Sequence, residues 1–155
     1  MKTEIKTFDE IQEISLEGFK TVSSDMFHSS THFTVPTLTL WRDSISFNKA
    51  SFTALNYCER IRIEVNSKTK RILAIPVTTR DRDGIKWIKD IKHPASKKLF
   101  CSSFTTLLFK EWGLSREKAY RTEGHIVTAD QKVMMLYDFI KCESWITPEG
   151  DKKDG

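Results

Sequence analysis

The chain has 155 residues, 39% of them hydrophobic and 30% charged, with a formal net charge of +4. That length matches one domain with enough core to fold alone. Six glycines and four prolines exclude a low-complexity chain, and no apolar run approaches the roughly 20 residues of a membrane-spanning helix.

The opening MKTEIKTFDE places acids where a secretory signal needs an apolar stretch, so a cytoplasmic protein is expected. Residues 7–17 have a capping box, Thr7 and Glu10, and an apolar face of Phe8, Ile11 and Ile14; a helix ending at Gly18 is predicted. Phe19–Phe27 alternates loosely as a strand, and 28–33 reads as loop. Thr37–Trp41 and Ile45–Phe47 are predicted strands around a turn at 42–44. Asn48 is a good N-cap for a short helix over 49–57.

Arg60–Val65 alternates strictly, with Ile61, Ile63 and Val65 on one face and Arg60, Arg62 and Glu64 on the other. A turn at 66–69 leads into a second strand, Arg71–Val77, whose Pro76 marks an edge or a strand end. The charged loop 78–84 precedes 85–91, which fits a short helix or a strand. Ser102 or Ser103 caps a helix over 104–112, stopped by Gly113. Ala119–Val127 and Gln131–Phe139 form a second hairpin around 128–130.

SFTAL at 51–55 returns as SFTTL at 103–107, each ahead of a predicted hairpin. The order strand, helix, hairpin therefore occurs twice, over 37–77 and 98–140. The expected organisation is an N-terminal helix and strand (1–36) packed on a single α+β domain (37–146), with a flexible tail (147–155).

Chemistry is sparse. Cys58, Cys101 and Cys142 are odd in number and form no CxxC pair, which speaks against a disulfide framework or a four-cysteine zinc site. His28 and His32 stand four apart but in a Ser/Thr-rich loop without a third ligand. Asp81-Arg82-Asp83-Gly84 lacks the further oxygen ligands of a calcium loop. No phosphate loop, dinucleotide fingerprint or nucleophile elbow occurs. The expectation is a non-enzyme with no cofactor and no metal.

Charge is the stronger signal. Residues 1–36 sum to −3, 37–76 to +4, 77–100 to +4 and 101–155 to −1. A basic centre of this kind is the footprint of a polyanion binder. The candidate contacts are Arg42 and Lys49 at the first helix, Arg60 and Arg62 on the hairpin face, and Lys68, Lys70 and Arg71 at its turn. Arg80, Arg82, Lys86, Lys89 and Lys92 follow beyond it. Side by side on a strand face, Arg60 and Arg62 can reach successive phosphates.

Residues 38–76, with a short strand, a capped helix ending in Leu and an alternating hairpin, resemble the AbrB and MazE type of swapped-hairpin DNA-binding domain. That resemblance implies a β-rich barrel, here built from two pseudo-repeated units in one chain, and DNA binding. A broader resemblance spans Gly18 to Phe139 on the strings DSISFNKASF, RDRDGIKW, CSSF and YDF. It is to accessory proteins of phages and conjugative elements in Gram-positive gut bacteria. Together they imply a mobile-element protein that binds DNA or RNA, with a homodimer possible and no membrane partner. The alternative is an anti-CRISPR or anti-restriction inhibitor docking on a host nuclease or its guide RNA.

Overall fold

Alternation and capping set the elements that the computed structural model contains. It describes residues 12–22 and 35–148, which fall in two units divided after His32. In the first, 12–22 hold a turn at Glu17 and Gly18, where Gly18 takes φ +88° and Phe19 N–H donates to Leu16 C=O. Residues 12–16 are not helical and 19–22 not a strand; the rest of the helix predicted over 7–17 and of the strand over 19–27 lies outside the described residues, as do His28 and His32.

The second unit contains β1 (Thr37–Leu40), β2 (Ser44–Phe47), α1 (Lys49–Ala54), β3 (Arg60–Asn66) and β4 (Arg71–Val77). It continues through β5 (Ile85–Lys86), β6 (Leu99–Phe100), α2 (Ser102–Trp112), β7 (Lys118–Ala129), β8 (Lys132–Asp138) and β9 (Glu143–Ile146). The expected α+β, strand-rich class holds. All the pairings are antiparallel, in the order β5-β3-β4-β8-β7-β1-β2-β6, with β9 added on β7, and the sheet curls into a half-barrel. β1 and β9 take opposite edges of β7, because Tyr120 and Arg121 pair with both.

Three predicted boundaries shift for local reasons. α1 stops at Ala54, with Leu55 as its cap, because Asn56 and Tyr57 both take left-handed backbone. α2 starts at Ser102 behind Cys101, which makes no side-chain cap; its entry is held instead by the Cys101 N–H on Asp43 C=O. The β7–β8 turn falls at Asp130 and Gln131, both at positive φ, the geometry of a tight hairpin turn. Segment 85–91 is a two-residue strand followed by irregular chain, and its successive residues Trp87 and Ile88 are both buried. Neither period describes such a pair.

The core lies inside the curl. Leu38, Leu40, Phe47, Ile61, Ile72, Met135 and Tyr137 come from strands, and Phe52, Leu108, Phe109 and Trp112 from the two helices. Trp87 stands edge-on to Phe47 and Phe52, with centroids 5.0 and 4.9 Å away, the packing that aromatic quadrupoles favour. Its indole N–H donates to Cys58 C=O at 2.6 Å.

The SFTAL and SFTTL segments occupy different environments. Ser51, Phe52 and Leu55 are all buried. Ser103 is exposed, Leu107 is 57% exposed, and Phe104 is only partly covered. α2 instead turns Thr105, Leu108, Phe109 and Trp112 inward.

Candidate functional site

The β3–β4 hairpin distributes the basic residues. Seven-residue strands at about 3.3 Å per residue put its two ends about 20 Å apart. Lys68 and Lys70 stand at the turn between the strands, and Arg80 and Arg82 in the loop beyond β4, at the opposite end. All four are exposed.

Several of the candidate cations are engaged by acids. Arg62 is bound by Asp81 at 2.6 Å and Glu64 at 3.0 Å, Arg71 by Asp138 at 3.2 Å, and Lys86 by Glu59 at 3.4 Å. Arg60 is half-buried, with an Nε that finds no partner among the described residues. The adjacent Arg60 and Arg62 of the sequence thus stand on one face of β3, but the Arg62 fork is already occupied. Arg42 sits in the β1–β2 turn, where its C=O accepts from Thr105 Oγ1 at 2.7 Å, and Lys49 opens α1.

Asp81 organises the loop after β4. Its carboxylate accepts the Asp83 N–H at 2.9 Å as well as the Arg62 guanidinium. The Asp83 N–H first, then Arg62, holds the carboxyl below its ordinary value. The Asp81-Arg82-Asp83-Gly84 string is therefore a braced turn.

The residues that the fold does bring together surround a cleft between β5 and β6. Its volume is about 570 Å³. Ile45, Ile63, Ile85, Leu99, Phe100 and Phe104 form its wall, with Lys86, Lys89, Lys98 and Asp83 among them. Phe100 is 76% exposed, a large apolar surface to leave in water. Lys98 lies over the Trp41 ring, 4.1 Å from its centroid. Lys86 and Lys89 are among the cations that the sequence marks out, and Lys98 is not, because nothing in the order of residues indicates that the chain entering β6 brings it to β5.

Cys101 also borders the cleft. Burial pushes the thiols of Cys58, Cys101 and Cys142 above the ordinary cysteine value, so they are poor nucleophiles at neutral pH. No group of three or more His, Cys, Asp or Glu side chains is placed to hold a metal among the described residues. No helix among them is long and apolar enough to cross a membrane. No family model matches the chain, and neither a curated protein nor a solved structure does so.

Proposed function

We propose that the chain is a non-enzymatic nucleic-acid-binding protein that contacts the phosphate backbone along residues 80–98. One observation carries this reading. Arg80, Arg82, Lys86, Lys89, Lys92, Lys97 and Lys98 are all exposed, and of these only Lys86 is ion-paired among the described residues. A row of exposed cations, most of them without an acidic partner among the described residues, suits a polyanion whose charges repeat along a flexible or helical backbone.

The strand order supports the finer expectation of a single-chain swapped-hairpin barrel. Exchanging β1 with β5, β2 with β6, β3 with β7 and β4 with β8 maps the run β5-β3-β4-β8-β7-β1 onto itself read backwards. The same exchange returns the β2–β6 pair, while the β1–β2 pair would require a β5–β6 pair that the sheet leaves open. On this reading the two units are related by a two-fold axis, and the departures of SFTTL from SFTAL are divergence between them.

The test is binding of a 20-base-pair duplex and a single-stranded RNA of equal length, by fluorescence anisotropy across a salt series. Affinity should fall linearly on logarithmic axes, with a slope of about −0.9 per phosphate neutralised on the duplex. Replacing Lys89, Lys92, Lys97 and Lys98 together by Glu should weaken binding more than about tenfold, while replacing Lys68 and Lys70 should change it less than about threefold. Salt-independent binding, or equal loss in both variants, would overturn the assignment.

A second reading, an inhibitor from a mobile element that docks on a host defence nuclease, is favoured by one specific feature. Phe100 and Ile85 are exposed beside the cleft, where a protein partner has more to gain than a phosphate backbone.

A further inference from the structure

β5 and β6 are the two ends of the sheet path, yet both line the same cleft. The sheet has curled until its ends face each other without pairing. Among the described residues β5 pairs only with β3, and β6 only with β2, so each has one free edge. Free edges are templates for another strand. Lysines on an edge deter neutral and basic strands; Lys89 and Lys98 stand at this one with Lys86, which Glu59 holds, against a single carboxylate in the lining, Asp83. The wall between them is apolar, with Ile85 and Phe100 both exposed.

We propose that this seam receives an extended peptide segment of a partner protein, alternating apolar and acidic side chains, which pairs with β5 or β6 and closes the barrel. Strand addition draws affinity from main-chain hydrogen bonds and specificity from alternate side chains. Here the apolar set would enter the cleft against Phe100 and Ile63, and the acidic set would face the lysines. The inference does not rest on nucleic-acid binding: Lys86, Lys89 and Lys98 serve both readings, but the apolar wall between them has no use for a phosphate backbone.

The probe is a capped heptapeptide alternating valine and glutamate, titrated into the isotope-labelled full-length chain and followed by amide chemical shifts. Saturable shifts are expected at residues 85–88 and 98–101, with slowed hydrogen exchange at the edge that pairs. The matching valine–lysine peptide should bind at least about tenfold more weakly, and the Lys89→Glu, Lys98→Glu double variant should reverse that preference. Methylating alternate peptide nitrogens should abolish binding. Four results would overturn the proposal: no saturable binding at millimolar peptide, shifts away from the seam, equal affinity for both peptides, or unchanged affinity of the methylated one. Decanoate is the control amphiphile, and shifts at the seam from decanoate but not from the peptide would assign the cleft to a small apolar anion instead. Retained duplex binding in any of these cases would leave the polyanion reading untouched.

Discussion

Asn48 does more than cap a helix. Its Oδ1 accepts the N–H of Ser51, the hydroxyl of Ser51 and the N–H of Thr37, while its Nδ2 donates to Val35 C=O. Ser51 Oγ in turn accepts from the buried Tyr137 hydroxyl at 2.8 Å. One amide thereby ties α1 to β1, and through Ser51 to β8. Burial pushes the Tyr137 phenol above its ordinary value, only partly offset by Ser51, so it stays a neutral donor. Tyr137→Phe should cost about 1 kcal/mol for the lost bond, read as a lower midpoint in urea with an unchanged slope. The capping role was legible because Asn before a short apolar run has a local meaning; the link to Tyr137 was not, because 86 residues separate it from Ser51. Asp81 gives the pH dependence. Its folded value lies below the ordinary 3.8, so its contribution is complete above that value and is lost as pH falls through it toward the folded one. Asp81→Asn should therefore flatten the acid limb of stability below about pH 4 and leave its shape near pH 7 unchanged, as followed by thermal unfolding across pH.

At the scale of elements, alternation beside a turn signal could be read, in the four-residue β1 and β2 as in the longer β3. β6, at two residues, is too short for a period to register, and β9 shows its partner only through its pairing with β7. Gly124 is a related case. A glycine inside a strand signals close approach, and the partner proves to be the Tyr137 ring: a Cβ at Gly124 would lie 2.5 Å from Tyr137 Cε1. Register makes them direct neighbours across β7 and β8, so neither can move without breaking the ladder. Gly124→Ala should destabilise by about 1–3 kcal/mol, a fall in melting temperature of several degrees in calorimetry. Removing the Tyr137 hydroxyl as well should not rescue it, because the clash is with the ring. An undisturbed melting temperature would mean that the two strands slide apart at little cost.

For the whole molecule, the run of +8 between residues 37 and 100 was visible in the sequence, but its shape was not. Folding splits it: Lys68 and Lys70 go to one end of the β3–β4 hairpin, Arg80 and Arg82 to the other, and Arg62, Arg71 and Lys86 are taken by acids. What remains gathered is the segment leading from Arg80 to Lys98, and the salt slope should therefore report fewer phosphates than the sequence offers cations. The cleft had no signal in the order of residues at all, because Ile85 and Phe100 come to line one cleft only once the sheet has curled.

Arg71 binds Asp138, 67 residues further along, and Thr37 pairs with Glu123. A ribosome adds residues at about 5–20 per second, so the N-terminal half waits seconds for the strands that cover it. During that interval the β3–β4 hairpin has no neighbour from β8 and β1 has none from β7. Pairings this distant also make refolding slow. The period of greatest exposure to proteases and to aggregation therefore falls during synthesis, before β8 is available to pair.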